Sequence, residues 1–113
     1  MTGNEFRRIA LSFPGAEEKE HMDHPDFRVG NKIFATLNYP DKTRGMVKLF
    51  PDQQQQMTQA DPAMFEPVPG GWGKGGATRV HLKAAKAMKL REAMRLAWEK
   101  AAPKSKESKT KVK

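Results

Sequence analysis

"DFRVGNKIFATLNY", residues 26–39, reads as two strands around a Gly30–Asn31 turn. Both turn residues tolerate positive φ and the flanks alternate in polarity, the pattern of a tight hairpin. Strict alternation puts Ile33, Ala35 and Leu37 on one face of the second strand, with Phe34 and Thr36 on the other. Downstream, "GMVKLF" (residues 45–50) continues as a strand with Val47 and Leu49 on one side and Met46, Lys48 and Phe50 on the other. "ATRVHL" (residues 77–82) alternates again, with Thr78, Val80 and Leu82 inward and Arg79, His81 and Lys83 outward if the sheet keeps one solvated face. The centre of the chain is therefore a meander.

Helices flank it. Phe6, Ile9, Ala10 and Phe13 recur at helical spacing, with Asn4 as the expected N-cap, Arg7 and Arg8 outward, and an end before Pro14–Gly15. "PDQQQQMTQADP", residues 51–62, predicts a short surface helix from about Asp52 to Gln59. Ala87, Leu90, Met94, Ala97, Trp98 and Ala101 line one side of a long helix over about 85–102. Between these, "PAMFEPVPGG" (residues 62–71) carries three prolines that remove ladder donors, which predicts an extended surface loop anchored by Phe65 and Val68. The expected fold is α+β: an antiparallel sheet of about four to five strands flanked by an N-terminal helix, a short middle helix and a long C-terminal helix.

The 113 residues suit one domain, expected over 1–103, with one core. Hydrophobic residues are 37% and charged residues 30%, polar on average but clustered in patterned segments. The absence of cysteine excludes disulfides, thiolate metal sites and thiol catalysis. No apolar run approaches the roughly 20 residues of a bilayer span, so the expected setting is cytoplasmic, with no membrane partner. The net charge is +8, and residues 104–113 hold half of it as five lysines against Glu107. With only Val112 to bury, this tail is expected to be disordered, either as a solubilising end or as a nucleic-acid arm.

Catalytic patterns are weak. "EHMDH", residues 20–24, gathers Glu20, His21, Asp23 and His24, yet adjacency in sequence does not make them converge, and Pro25 leads straight into a strand. The polar lip of a strand pair is the simpler reading, and no metal or cofactor is expected. "GWGKGG" (Gly71–Gly76) matches a dinucleotide-binding fingerprint in letters only, because a proline-rich loop precedes it and a strand follows. The loop instead lets Trp72 fold back onto the sheet and presents Lys74, beside backbone N–H groups able to bind a phosphate. Ser12, Ser105 and Ser108 sit in no nucleophile elbow, so no catalytic residue is assigned and an enzyme is not expected.

Four blocks carry a family resemblance: "FPGAEE" (13–18), "HPDFRVGNKIFATL" (24–37), "DPAMFEPVPGGWGKGGATRVHL" (61–82) and "LREAMRLAWEKAAPK" (90–104). In this order, covering about Glu5 to Lys104, they resemble the MmcQ/YjbR family, also described as CyaY-like or "double wing". The resemblance implies an antiparallel sheet flanked by helices and a DNA-binding role, and no known reaction. It also implies that His21 and the "HPDFRV" run lead into a hairpin marked by Gly30, Lys32, Phe34 and Ala35. The chain departs from its relatives at Ala77, where an aromatic often follows the second glycine pair.

Two functions follow as expectations. In the first, a DNA-binding module of low sequence specificity grips phosphates through Arg28, Lys32, Lys48, Lys74, Arg79, His81 and Lys83, in or beside the strands and the glycine loop. In the second, a small-molecule or protein interaction domain uses a pocket beside the Pro/Gly-rich loop with Trp72 and Phe65 as apolar walls; under either, a monomer is expected.

Overall fold

The hairpin forms with one shift that changes which side chains meet the core. The computed structural model describes residues 1–21, 24–39 and 41–103. The lysine-rich tail at 104–113 lies outside the described residues, as does Asp23. Strands β2 (His24–Val29) and β3 (Lys32–Leu37) are joined through Gly30 and Asn31, whose φ values of 57° and 68° give a type I′ turn. Phe27 pairs with Ala35, but Arg28 pairs with Ile33, so Phe34 is an extra residue in β3. This bulge breaks the alternation expected from the sequence. Phe34 and Ala35 both turn to the core, while Ile33 joins Thr36 on the opposite face.

The sheet has six antiparallel strands rather than four or five. Besides the hairpin it holds β1 (Glu17–His21), β4 (Arg44–Lys48), β5 (Phe65–Pro67) and β6 (Ala77–His81), in the order β1-β2-β3-β4-β6-β5. The two unexpected strands are its edges. β1, "EEKEH", has no apolar residue to betray it and exists through its ladder with β2. β5 lasts three residues and ends on Pro67, a residue tolerated at an edge.

Helix α1 (Gly3–Leu11) begins two residues earlier than Asn4 suggested. Thr2 is the N-cap: its Oγ1 accepts from the Glu5 N–H at 3.1 Å while the Glu5 carboxylate accepts from the Thr2 N–H at 2.9 Å. Asn4 instead accepts from Arg7, whose Nε also donates to Glu18 at 2.9 Å and clips the helix to β1. α2 (Pro51–Ala60) and α4 (Ala87–Ala101) occupy their expected places, and a four-residue α3 (Gly71–Lys74) forms in the glycine-rich loop. No helix among the described residues is long and apolar enough to cross a membrane.

α1 and α4 pack on one face of the sheet and make the main core. Phe6, Phe27 and Phe34 are fully buried there, with Val47, Val80, Leu90 and Met94. Each large side chain so buried contributes about 1.5–3 kcal/mol relative to exposure. Phe65, expected to wall a pocket, belongs to this core at 2% exposure. Its register opposite Val80 points it inward, so it is unavailable to a ligand on the other face.

Asp61, at the end of α2, fastens that helix to α4. Its carboxylate accepts from Lys86 Nζ at 2.9 Å and lies 3.5 Å from Lys89 Nζ, and the Lys86 hydrogen bond holds it below the usual carboxylate range. A group with a lowered native pKa stabilises the fold fully above its ordinary value near pH 4 and loses that contribution as pH falls through the native one. Asp61→Asn is therefore expected to melt below the parent at pH 7, with the gap closing as a series of melts descends from about pH 4. A constant gap at every pH would show that the charge is not what matters.

Candidate nucleic-acid interface

The opposite face of the sheet carries no long helix, and the strand registers decide what stands on it. Arg44 pairs with His81, Met46 with both Thr36 and Arg79, and Lys48 with Ala77, all alternating with the core residues Val47 and Val80. β2 adds His24, Asp26 and Arg28 by the same alternation, and β5 adds Glu66 opposite Arg79. A polar, half-covered surface results, as an antiparallel sheet allows.

A cavity of about 130 Å³ opens in it. Ile33, Thr36 and Met46 line it from the strands, Tyr39 and Trp72 add aromatic walls, and His24, Asp26 and Lys48 bring polar groups. The rings form a chain: His24 meets Tyr39 edge-on at 5.6 Å, and Tyr39 meets Trp72 at 6.1 Å with a 40° tilt. Trp72 remains 60% exposed, a large apolar surface left to water. Asn38 takes φ 61° just past β3, and its carbonyl accepts a 2.7 Å hydrogen bond from His24 Nδ1. Because a carbonyl only accepts, Nδ1 carries the proton and Nε2 of the neutral ring is left as an acceptor.

The cations on this face divide into paired and unpaired groups. Arg28 donates to Asp26 twice, at 2.8 and 3.2 Å, and Asp26 is 3% exposed, so this arginine is largely neutralised. His81 Nε2 lies 2.8 Å from Glu66. Arg44 and Arg79, by contrast, each bury an Nε with no hydrogen-bond partner among the described residues. Lys48 is held below the usual lysine value by burial and by the nearby charge of Lys100. Of the seven cationic positions expected from the sequence, Arg28, Lys48, Arg79 and His81 share this face. Lys74 lies exposed in α3 beside it, and Lys83 is exposed in the 3-10 turn Leu82–Ala84 beyond β6. Lys32 does not join them: it is opposite the buried Val29 at the hairpin end, on the helix side of the ladder.

The family model for YjbR matches residues 11–100, which spans the sheet and most of α4. The chain belongs to the YjbR family. No curated protein matches this YjbR chain. Among solved structures, the crystal structure of Deinococcus radiodurans protein DR2400, a DUF419 domain protein, is similar at 21% identity with a TM-score of 0.69. The likeness covers 86% of this chain and 75% of that one, and speaks for the fold. The residues of this candidate site in the YjbR protein that the sequence did not assign are His24, Asp26, Ile33, Thr36, Tyr39 and Met46, with Arg44 beside them. Arg44 and Met46 share the parity of Lys48, a signal present in the sequence; Tyr39 arrives through the Asn38 turn and has none.

Proposed function

We propose that this protein binds nucleic acid through the open face of its sheet, with low sequence specificity and a preference for single strands. The observation that carries the reading is the aromatic-walled cavity beside Arg44, Lys48 and Arg79, none of which makes an ion pair among the described residues, although, after the Thr43 hydrogen bonds, the charges of Arg44 and Arg79 help hold the nearby Asp41 carboxyl below its usual range. Every base offers a π-face to Tyr39 and Trp72, while Arg44, Lys48 and Arg79 offer charge to the backbone, the combination by which single strands are held without base readout. Size favours this over a pocket for a free small molecule. At about 130 Å³ the cavity is below the roughly 300–1,000 Å³ of sites that enclose drug-sized ligands, so it admits one ring and leaves the rest of the ligand on the surface. The reading makes the protein a binding module rather than a catalyst.

The test is a titration of single-stranded and duplex DNA at several salt concentrations, with the full chain and with the chain ended after residue 103. Neutralising about three phosphates gives a slope of log affinity against log salt of roughly −2 for single strands. The shortened chain should keep most of that slope, and Arg44→Ala with Arg79→Ala should reduce it by about 1.4. Loss of all salt-dependent affinity on removing 104–113 would assign the binding to the lysine tail and refute the open face.

A further inference from the structure

A second hollow lies against Trp72, and it differs in chemistry from the first. Its volume is about 230 Å³, and it is bounded by Lys48, Lys100, Ala77 and the turn of Gly71 and Gly75. Two lysines therefore border one recess, close enough for the charge of Lys100 to act on Lys48. Lys48 is partly desolvated there, and Lys100 Nζ lies 5.2 Å from the Phe50 ring centroid, on the π-face of a side chain that is itself 44% exposed. No carboxylate among the described residues reaches ion-pair distance of either lysine. Like charges brought together in a hollow without an acid have an anion as their natural counterpart. The methyl of Ala77 leaves that space open.

Lys48 and Trp72 border both hollows, so the ring-sized cavity and the cationic recess are neighbours across one indole. We propose that together they form a nucleotide site, in which an aromatic base occupies the Tyr39–Trp72 cavity and its phosphate lies between Lys48 and Lys100. The proposal rests on the open-face reading and deepens it: the unit recognised is a nucleoside monophosphate, whether free or within a strand. The recess fits a phosphate in size and charge, and the lysines supply charge-assisted hydrogen bonds without demanding a particular base.

The test is equilibrium dialysis of the full chain against adenosine, adenosine 5′-monophosphate and inorganic phosphate. The monophosphate should bind at least about tenfold more tightly than adenosine, the effect of one or two hydrogen bonds to a charged group. Lys100→Ala removes one ammonium, and Ala77→Phe fills the recess; each should bring the ratio below about threefold while adenosine affinity stays unchanged. Lys100 is only partly covered, so its variant should fold even where Ala77→Phe does not. Equal affinity for adenosine and its monophosphate, no binding of the monophosphate at millimolar concentration, or a phosphate advantage that survives Lys100→Ala overturns the proposal. The two readings separate cleanly. Oligonucleotide binding without a monophosphate advantage removes the recess and keeps the open face; a Lys100-dependent advantage without oligonucleotide binding keeps the recess for free nucleotides and removes the strand.

Discussion

Trp72→Ala is expected to weaken single-stranded DNA binding by roughly 5- to 150-fold, the equivalent of about 1–3 kcal/mol for one stacked base. The size of the effect follows from what the indole leaves undone in the fold. It is 60% exposed, stands on a four-residue helix and contributes to neither buried cluster, so its removal takes little from stability. What it removes is a wall shared by both hollows and the ring partner of Tyr39. The other tryptophan makes the contrast. Trp98 stacks on Phe13 at 6.1 Å and donates its indole N–H to the Pro14 carbonyl at 2.9 Å, so it closes the core beneath α4. Anisotropy of a labelled oligonucleotide at fixed salt, paired with thermal melts, should find Trp72→Ala deficient in binding with a nearly unchanged melt. Trp72→Phe, which keeps a π-face, should recover much of the loss. Unaltered affinity of the alanine variant would remove stacking from the mechanism.

The sequence disclosed those parts of this arrangement that obey a simple period. Gly30–Asn31 and the alternation around it announce the hairpin, and the parity of "ATRVHL" sends Arg79 and His81 outward opposite β4 and β5. A bulge defeats parity. One extra residue at Phe34 reverses the expected placement of Ile33 and Phe34 while Ala35 stays with Leu37, and Ile33 thereby reaches the cavity instead of the core. Edge strands escape for a different reason: β1 is defined by backbone pairing without any apolar repeat, and β5 sits among prolines that argue for a loop. The error over Phe65 follows from the second of these, since only strand register reveals which way it points. Tyr39 and Trp72 approach across 33 positions of chain, a convergence that local pattern cannot express.

The charge of the open face is similarly a matter of subtraction. By count alone Arg28 and His81 resemble Arg79, yet Asp26 and Glu66 have claimed the first two. A buried carboxylate fixed to its arginine orders the rim of the cavity more than it attracts phosphate. If the open face binds a strand as proposed, the attraction would fall to Arg44, Lys48 and Arg79, and the glycine-rich turn that carries Trp72 would decide whether stacking and charge act at the same place.

That turn depends on Gly76, and Gly76→Ala is expected to be strongly destabilising. Gly76 has φ 111°, and an added Cβ would sit 1.8 Å from the Leu49 carbonyl oxygen, a backbone atom that cannot rotate away. The residue also joins three elements: its carbonyl accepts from the Leu49 N–H at 3.1 Å and from Thr78 Oγ1 at 2.9 Å, and its N–H donates to Gly73 at 3.0 Å. Gln54 of α2 secures the same segment by donating to the Gly73 and Ala77 carbonyls, each at 2.9 Å. Placing alanine at positive φ costs about 1–2 kcal/mol, and relieving the overlap by moving β4 from β6 adds about 1–3 kcal/mol. Gly70 provides the matched control, with φ 86° and nothing within 4 Å of the added Cβ, so that Gly70→Ala carries the conformational cost alone. At about 4–8 °C per kcal/mol for a domain of this size, Gly76→Ala should melt at least about 10 °C below the parent and clearly below Gly70→Ala. Its surviving folded fraction should bind the labelled oligonucleotide as weakly as Trp72→Ala, because the indole is carried by the segment that must move. Coincident melting curves for the two glycine variants would show that the Leu49 contact yields without cost, and that Trp72 is held in place by something other than this turn.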